Sequence, residues 1–429
     1  MSNLIPRKST TFIKVLTNLS DRIIAVLKSK KSLWRLFSAL GFISLLFIIN
    51  ACQSLPAVHP DLLKEVKQSH VVIDNVNVLT MTNEKTPILY HQQLEIKNGL
   101  IFAMLPAGSS YDKTAQYIDA KQAFISPGLI DMHVHVMDRQ ALMLSLSYGV
   151  TTVRILRGMS QHLLWKKELE NQQWLGSNLV VSTPVFDHKD THLLNLAADG
   201  SDHVEQLVLS FKEQGYDLIK VYGSLPHTEY KALYQQANAL NFPIAKHGPN
   251  PSEGGNWASL SGLQSLEHVE EIFQGPLNYQ FDYQKLVTVV EKLKTLNVSV
   301  TPTLAVFDHL AQLSHEKEAF IETIDLAFIN PVQKAIETKY SVARWLADKP
   351  EQSAYHFEKF EFLKDIVTEL HRQGVPLIVG SDAGVMYSLQ GEATHLEMAL
   401  LHESGLSTYQ ALLAATVNPA KALKRFDRY

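Results

Sequence analysis

The sequence predicts an α/β protein, a TIM-like (β/α)8 barrel preceded by a small, incomplete β-sandwich domain. From Phe124 onward, short apolar segments alternate with longer segments that carry apolar residues at helical spacing, the pattern of βαβ units around a parallel sheet. Eight such units can be counted, which is the number that closes a barrel. No G-x-G-x-x-G follows any short apolar segment, so an open doubly wound sheet is the weaker alternative.

The predicted barrel occupies residues 126–429. Its strands lie near Ile125–His135, Val150–Leu156, Asn178–Pro184, Asp217–Tyr222, Pro243–His247, Ser265–His268, Val298–Thr303 and Pro376–Asp382. Between them, apolar residues recur at helical spacing in Val204–Glu213, Glu229–Leu240, Phe281–Leu296 and the long stretch His315–His371.

The N-terminal segment resembles a bacterial lipoprotein signal. Residues 1–35 carry eight Lys and Arg against one Asp, and the apolar run Leu36–Ile49 follows them. This run is shorter than an ordinary membrane-spanning helix but suits the apolar region of a signal peptide. It ends in Ile-Asn-Ala-Cys, which is similar to a lipoprotein cleavage box. We predict a signal segment over residues 1–52 with Cys52 as the lipidation site; a non-lipidated anchor or a simple cleaved signal is the alternative.

Lipidation would hold the mature protein on a membrane, because each buried acyl CH₂ contributes roughly 0.8 kcal/mol. Gln53 follows the cysteine, and by similarity to sorting in Gram-negative bacteria this favours the outer membrane. The expected location is therefore a membrane-anchored lipoprotein that faces the periplasm. Cys52 is the only cysteine, so the sequence offers neither a disulfide framework nor a cysteine-based zinc site.

A polar linker, residues 53–70, is predicted to lead into a small β domain over residues 71–125. Val71–Leu79 alternates as a strand does. Gln93–Leu105 resembles two strands around the turn Lys97-Asn98-Gly99, whose glycine supplies the positive φ of a tight reversal. This region contains no motif with evident chemistry, so the function is expected in the barrel.

Composition and charge fit a large catalytic domain and argue against a nucleic-acid surface. Of the 429 residues, 46% are hydrophobic and 19% are charged, which is enough for a sizeable core. The formal charge of −4 hides an asymmetry, because the chain after residue 35 holds 31 Lys and Arg against 42 Asp and Glu. Such an acidic surface repels phosphate backbones. We expect small-molecule partners and no nucleic acid, and the possibility of a homo-oligomer stays open.

Candidate metal ligands lie at the end of the first predicted barrel strand, in Asp-Met-His-Val-His. Residues two apart on a strand face the same way, so His133 and His135 project into one space. Two imidazoles in this arrangement can chelate zinc or a similar divalent ion. An H-x-H pair alone is weak evidence, because two incidental core histidines give the same pattern.

Four other predicted strands end in residues of ligand type. Lys220 lies in Ile-Lys-Val-Tyr, His247 in Ala-Lys-His-Gly, His268 in Leu-Glu-His and Asp382 in Gly-Ser-Asp-Ala-Gly. The catalytic residues of barrels come from the carboxyl ends of different strands, so this distribution in barrel order is hard to obtain by chance. The glycines around Asp382 allow close approach of the backbone.

From about Val71 to Ala422, the chain resembles the amidohydrolase superfamily, particularly its imidazolonepropionase-like and prolidase-like branches. The motifs that carry the resemblance are PGLIDMHVH, YGVTTVR, IKVY, LEH, GSDAG and AATVNPA. The resemblance implies a two-metal site that activates water, with two Zn²⁺ ions expected per chain.

The resemblance also implies a role for each ligand-type residue. His133 and His135 would bind the more buried metal, and carbamylated Lys220 would bridge to the second. Asp382 would ligate the first metal and hold the bridging hydroxide. The residues assigned to the second metal are His247 and His268.

The chemistry of these residues is consistent with that assignment. An ammonium cannot bind a cation whereas a carbamate can, so Lys220 is either modified or a plain salt-bridge lysine in a one-metal enzyme. Asp382, the expected catalytic residue, can accept a proton from the attacking water and pass it to the leaving nitrogen. Tyr222 is a candidate substrate contact, although simple packing would explain it equally well. Arg154 and Arg157 are candidates for a carboxylate-binding arginine.

The C-terminus departs from the superfamily pattern. Members usually continue past the Asn-Pro-Ala helix into strands that complete the N-terminal β-sandwich, whereas this sequence stops at Arg428-Tyr429. We therefore expect the early strands to expose a sheet edge and an apolar face.

The sequence thus predicts a metal-dependent hydrolase of carbon–nitrogen bonds other than ordinary peptide bonds, such as those of cyclic amides. A prolidase-like metallo-dipeptidase is the runner-up, because it uses the same metals. An inactive lipoprotein that serves as a binding module is the alternative from another class. We assign no role to His188, His192, His395 and His402.

Overall fold

The structure, a computed structural model, describes residues 70–188, 195–197, 199–248 and 257–425. The predicted signal segment with Cys52, residues 53–69 of the predicted linker, and His192 lie outside these residues. In the part of the chain that is described, no helix is long and apolar enough to cross a membrane.

An N-terminal sheet precedes the barrel. Its strand order is β3-β2-β1-β4, with β5 also paired to β1; β2 runs antiparallel to both of its neighbours. Asn98 (φ 51°) and Gly99 (φ 77°) form the turn between β2 and β3, which confirms the predicted hairpin. The strands are β1 (His70–Leu79), β2 (Ile88–Lys97), β3 (Leu100–Pro106), β4 (Gln116–Asp119) and β5 (Phe124–Ile125).

This sheet buries only part of its apolar surface. Val76, Val78 and Leu94 pack into a small buried cluster, whereas Ile101 and Phe102 are 70% and 64% exposed. Among the described residues the sheet is a single layer and not a two-layered sandwich. The sheet therefore leaves an apolar surface exposed, as the sequence predicts.

Seven parallel strands form most of the barrel wall, in the order β13-β12-β11-β10-β8-β7-β6. A short strand, β9, pairs with the end of β8. These strands confirm seven of the eight predicted positions. With β9 included, the strands of this sheet are β6 (Leu129–Val134), β7 (Val150–Ile155), β8 (Asn178–Asp187), β9 (Leu196–Ala197), β10 (Leu218–Val221), β11 (Ile244–His247), β12 (Ser265–Glu267) and β13 (Ser299–Thr301).

The eighth predicted strand, near Pro376–Asp382, closes the barrel as an irregular segment. Ile378 N donates to Val300 O of β13 (3.0 Å), and Met132 N of β6 donates to Val379 O (2.8 Å). The segment therefore bonds to both neighbours, yet it forms isolated bridges in place of a continuous ladder. Its extended course ends at Asp382, whose φ of 56° lies in the left-handed region.

Helices cover the outside of the barrel. The long apolar-periodic stretch His315–His371 is divided into several helices, and Pro331 and Pro350 each begin one of them, as expected of a residue that lacks a backbone donor. The α-helices are α1 (Arg139–Ser147), α2 (Ser160–Glu170), α3 (Ser201–Gln214), α4 (His227–Ala239), α5 (Glu270–Gln274), α6 (Tyr283–Leu296), α7 (Leu304–Glu316), α8 (Glu318–Glu322), α9 (Pro331–Glu337), α10 (Ala343–Leu346), α11 (Pro350–Gln373), α12 (Glu392–Glu403), α13 (Thr408–Ala415) and α14 (Val417–Ala422). Short 3-10 helices lie at Trp257–Leu260 and Leu326–Phe328, and a π-helical turn lies at Thr338–Val342.

Apolar packing within the strands leaves their carboxyl ends for polar groups. Val180 of β8, Leu218 of β10 and Ala245 of β11 form a buried cluster, against which Leu423 packs just after α14. The ligand-type residues lie further along the same set of strands, at the end where barrels carry their functional sites.

Candidate metal centre

His133 on β6 and His135 just beyond it face Asp382. The distance between His135 Nε2 and Asp382 Oδ1 is 2.9 Å, and His133 Nε2 lies 3.5 Å from the same oxygen. One ligand atom from each residue lies within 4.8 Å of the others. Asp382 Oδ1 has no well-aligned hydrogen-bond donor among the described residues. The short contact with His135 is therefore not a hydrogen bond, and it brings two possible metal-ligand atoms close together.

Backbone conformation directs these ligands. Asp382 N donates to His133 O (2.8 Å), and both Asp382 (φ 56°) and His268 (φ 67°) adopt the left-handed conformation that is uncommon outside glycine. A Cβ atom on Gly384 would lie 1.8 Å from His135 O, and one on Gly380 would lie 2.8 Å from His133 Cβ. Both glycines therefore permit the close backbone approach that the sequence suggests.

His247 and His268 form a second imidazole pair. Their Nε2 atoms lie 3.1 Å apart, while His247 Nδ1 is 3.0 Å from Glu271 Oε1 and His268 Nδ1 is 2.8 Å from Thr303 Oγ1. With the Nδ1 protons donated to these oxygens, the two Nε2 lone pairs face each other, which favours a shared cation between them. The His133 and His268 ring centroids are 4.6 Å apart, so the two ligand groups adjoin.

The site keeps His133, His247 and His268 neutral and Asp382 charged. Burial, followed by the charge of Lys220, holds the pKa of His133 and of His247 well below the ordinary value; burial and then His247 do the same for His268. Burial alone would raise the pKa of Asp382, but contact with His135 and nearby positive charge hold it below its usual value. Neutral imidazoles and a carboxylate are the protonation states that bind metal.

Lys220 on β10 lies fully buried among these groups. Its Nζ makes no hydrogen bond to any described residue. Burial lowers its pKa to about 8, opposed by the charges of Glu267 and Asp382. A buried ammonium without a hydrogen-bonding partner is unfavourable, so this position suits a neutral amine or a modified one.

A buried ion pair supports His133 from behind. Glu267 Oε2 accepts from His133 Nδ1 (2.8 Å), and Arg154 Nη2 donates to Glu267 Oε1 (2.8 Å). Arg154 is fully buried, and it also donates to Met132 O and to Ser265 Oγ. Arg154 was a candidate for binding a substrate carboxylate, but its donors are engaged within the barrel, so that prediction is wrong. Glu267 was not among the predicted site residues, although it stands in the Leu-Glu-His motif.

Asp131 was likewise not among the predicted site residues. It is fully buried, and its Oδ2 accepts from Ser381 Oγ (2.6 Å) and Thr394 Oγ1 (2.6 Å). Its Oδ1 accepts from the backbone N–H groups of His133 and Ser381, each at 3.1 Å. Asp131 therefore ties the end of β6 to the segment that presents Asp382. The signal in the sequence is its position two residues before His133, on the same side of the strand.

Tyr222 and Arg157 flank the centre. The Tyr222 and His247 rings have centroids 4.0 Å apart, and Arg157 Nη2 donates to the Tyr222 hydroxyl (3.1 Å). His395 and His402 lie on helix α12, where they bond to the backbone oxygens of Tyr148 and Leu406 and to none of these residues. The structure thus brings together every residue proposed as a ligand, with Tyr222 beside them.

The chemistry of this donor set fits a divalent metal. Imidazole nitrogens with one carboxylate are typical ligands of zinc and related ions, and the convergent lone pairs described above point into a common space. The ordered outer contacts of His133, His247 and His268 are those that fix metal-binding tautomers.

Comparison with known proteins supports the assignment of the barrel. The sequence model of the amidohydrolase family matches residues 124–429. Adenine deaminase 1 of Latilactobacillus sakei subsp. sakei (strain 23K) is 36% identical over 87 residues, 19% of this chain and 15% of that protein. The imidazolonepropionase of Pseudoalteromonas atlantica (strain T6c / ATCC BAA-1087) is 38% identical over 71 residues, 15% of this chain and 17% of that protein. The matches thus span less than a fifth of these relatives.

Solved structures show the same fold. A bottromycin amidohydrolase superposes with a TM-score of 0.70 at 22% identity, covering 87% of this chain and 83% of its own. A Xaa-Pro dipeptidase with methionine in its active site superposes with a TM-score of 0.62 at 16% identity, covering 84% and 90%. At these identities the likeness concerns the fold alone. The match of the family model over the whole barrel, however, establishes that this chain belongs to the amidohydrolase family.

Proposed function

We propose that the protein is a metal-dependent hydrolase that uses water to cleave a carbon–nitrogen bond other than an ordinary peptide bond, such as a cyclic amide, in a small molecule. The observation that supports this most directly is the convergence of His133, His135 and Asp382 beside the facing Nε2 atoms of His247 and His268. Family membership and the carbon–nitrogen chemistry named for its relatives are consistent with the proposal.

The residues would hold two divalent metals, with Zn²⁺ the best match to an imidazole-rich site. His133, His135 and Asp382 would hold the first, and His247 and His268 would hold the second. When bound, such metals supply Lewis acidity, which polarises a carbonyl and makes water a nucleophile near neutral pH.

Lys220 would join the two ligand groups as a carbamate. Its buried amine favours the neutral form, and only a neutral amine adds carbon dioxide. The product is an anionic group with two oxygen donors, which suits a position between two cations. Lys220 acts on the pKa of both His133 and His247, in keeping with a place between the groups.

Asp382 would carry the proton. Its low pKa keeps it a carboxylate at neutral pH, and Oδ1 has no aligned donor among the described residues. It can therefore accept the proton of the attacking water and deliver it to the nitrogen that leaves. Glu267 holds His133 in place during the reaction through the bond to Nδ1.

The first test is the metal content of the purified protein, prepared with and without bicarbonate. We expect about two metals per chain with bicarbonate, falling in Lys220→Met to about one. The same preparations are then assayed with a panel of cyclic amides and dipeptides. A folded chain that binds no metal would overturn the proposal and would favour an inactive lipoprotein acting as a binding module.

A prolidase-like metallo-dipeptidase is the second candidate, because the fold likeness includes a Xaa-Pro dipeptidase. The same panel separates the two functions. Preferential cleavage of Xaa-Pro dipeptides would favour the dipeptidase, whereas cleavage of cyclic amides alone would favour the first candidate.

We further propose that Cys52 anchors the protein to the outer membrane, facing the periplasm. The support is the basic segment, the apolar run and the Ile-Asn-Ala-Cys sequence, all of which lie outside the described residues. Cys52→Ser should move the protein from the membrane fraction to the soluble one. Unchanged membrane association of this variant would refute the lipid anchor.

A further inference from the structure

Arg157 lies at the carboxyl end of β7, the end of the barrel that carries the ligand-type residues. Its Nη2 donates to the Tyr222 hydroxyl (3.1 Å), while its Nε is buried and has no hydrogen-bond acceptor among the described residues. Within those residues, no carboxylate oxygen comes within 4.0 Å of the guanidinium. The edge of the Arg157 guanidinium formed by Nε and Nη2 therefore donates one hydrogen bond to a described residue and leaves the Nε donor unused.

Two other arginines show what that edge does elsewhere in this chain. Arg139 donates from Nε to Glu168 Oε2 (3.0 Å) and from Nη2 to Glu168 Oε1 (2.9 Å), and Arg372 binds the two oxygens of Glu369 through the same two nitrogens. This is the two-point geometry in which a guanidinium recognises a carboxylate. In Arg157, Nη2 donates to the Tyr222 hydroxyl, whereas Nε has no acceptor among the described residues.

Tyr222 connects Arg157 to the metal centre. Its ring centroid lies 4.0 Å from that of His247 and 5.8 Å from Lys220 Nζ. The guanidinium is thus one side chain away from the proposed ligands. A molecule held by Arg157 and the Tyr222 hydroxyl would have its reacting bond next to the centre.

Among the described residues, Arg157 has no ion pair with Asp187, the acid at the end of β8. The carboxylate of Asp187 already accepts from His188 N (2.8 Å), Asn195 Nδ2 (2.7 Å) and Ser224 Oγ. These donors stabilise the negative charge of Asp187, whereas no described carboxylate pairs with the positive charge of Arg157.

Arg154, only three residues earlier, cannot serve in its place. It is fully buried, and its donors are engaged by Glu267, Ser265 and Met132. Arg154, within β7, is therefore structural, whereas Arg157, just after the strand, faces the site.

We infer that Arg157 and the Tyr222 hydroxyl form a carboxylate-binding subsite beside the metal centre. The inference rests on the proposed function and narrows it: the substrate is a small amide that carries a carboxylate close to the scissile carbon–nitrogen bond. Both N-acyl amino acids and dipeptides belong to this class, and so do cyclic amides that bear a ring carboxylate.

The test uses matched pairs of acid and amide substrates on the metal-loaded protein, such as alanyl-proline with alanyl-prolinamide and N-acetylalanine with N-acetylalaninamide. We expect wild type to prefer the acids by roughly 10- to 100-fold in kcat/KM, mainly through KM, because only the acids offer a charged hydrogen-bond acceptor to Arg157. Arg157→Met should remove the preference, Arg157→Lys should restore part of it, and Arg372→Met is the matched surface control.

A binding measurement separates this inference from the proposed function. Calorimetric titration of wild type with N-acetylalanine and N-acetylalaninamide should show tighter binding of the acid, and Arg157→Met should lose the difference. If acids and amides bind alike, or if Arg157→Met weakens both equally, the subsite is wrong even where hydrolysis is observed. If the acid binds preferentially but no member of the panel is hydrolysed, the proposed function fails and the subsite stands.

Discussion

Glu267 Oε2 accepts a hydrogen bond from His133 Nδ1 at 2.8 Å, and neither side chain is exposed to solvent beyond 1%. The bond fixes the imidazole with its Nε2 lone pair directed at Asp382. Arg154 pairs with the other oxygen of Glu267. His133 is therefore held by a buried ion pair, and the three residues join strands β6, β7 and β12.

Glu267→Gln tests this support. The change keeps the shape but removes the charge that orients His133 and compensates Arg154. We expect metal affinity to fall roughly 10- to 100-fold and the free energy of unfolding to fall by about 3–5 kcal/mol. Chelator competition and urea unfolding measure the two effects. Glu168→Gln, which breaks the partly buried pair with Arg139, is the matched control and should leave metal affinity unchanged.

Asp382→Asn distinguishes the role of Asp382 as a general base from its role as a metal ligand. An amide oxygen can still face a metal, but it cannot accept the proton of water, so kcat should fall by on the order of 10²- to 10⁴-fold while metal remains bound. Elemental analysis and steady-state kinetics check both parts. Asp308→Asn, on helix α7, is the control. Full activity of Asp382→Asn would contradict the proposed mechanism.

Gly384→Ala should disrupt the centre through the backbone. The added Cβ would lie 1.8 Å from His135 O, at a φ of 92°, so the segment that carries Asp382 must shift. We expect loss of metal binding and a lower melting temperature. Gly405→Ala provides the control, because its φ is 98° but its Cβ would meet nothing within 4 Å. Equal losses in the two variants would mean that strain at positive φ, and not the contact with His135, is responsible.

The stability of the metal-free protein should rise with pH above about 8. Burial lowers the pKa of both Lys220 and Lys246 from 10.5 to about 8. Between these values the unfolded chain binds more protons than the folded one, so the free energy of unfolding increases as the pH rises through this window. Urea unfolding in the presence of chelator at pH 7, 8, 9 and 9.5 measures the slope. Lys246→Met should flatten it, and a stability that falls over this range in wild type would contradict the assignment.

Arg154 in β7 and Arg157 just after it show what the sequence can and cannot predict. The sequence was enough to name Arg154 and Arg157 as candidates for a carboxylate-binding arginine, but not to choose between them. Which of them is buried depends on the groups that surround each one. Only packing brings Gln264, Ser265 and Glu267 around Arg154, from more than a hundred residues away in the chain.

The sequence by itself determined the barrel and the residues that converge at its end, because the period of a strand and the order of strands fix which side chains share a face and an edge. Seven predicted strands and the grouping of His133, His135, Lys220, His247, His268 and Asp382 followed from those local patterns. The tertiary structure decided the left-handed turn at Asp382, the irregular eighth segment, and the support of His133 by Glu267. These features depend on close contacts between distant segments, such as Gly384 against His135, and such contacts leave no periodic trace in the chain.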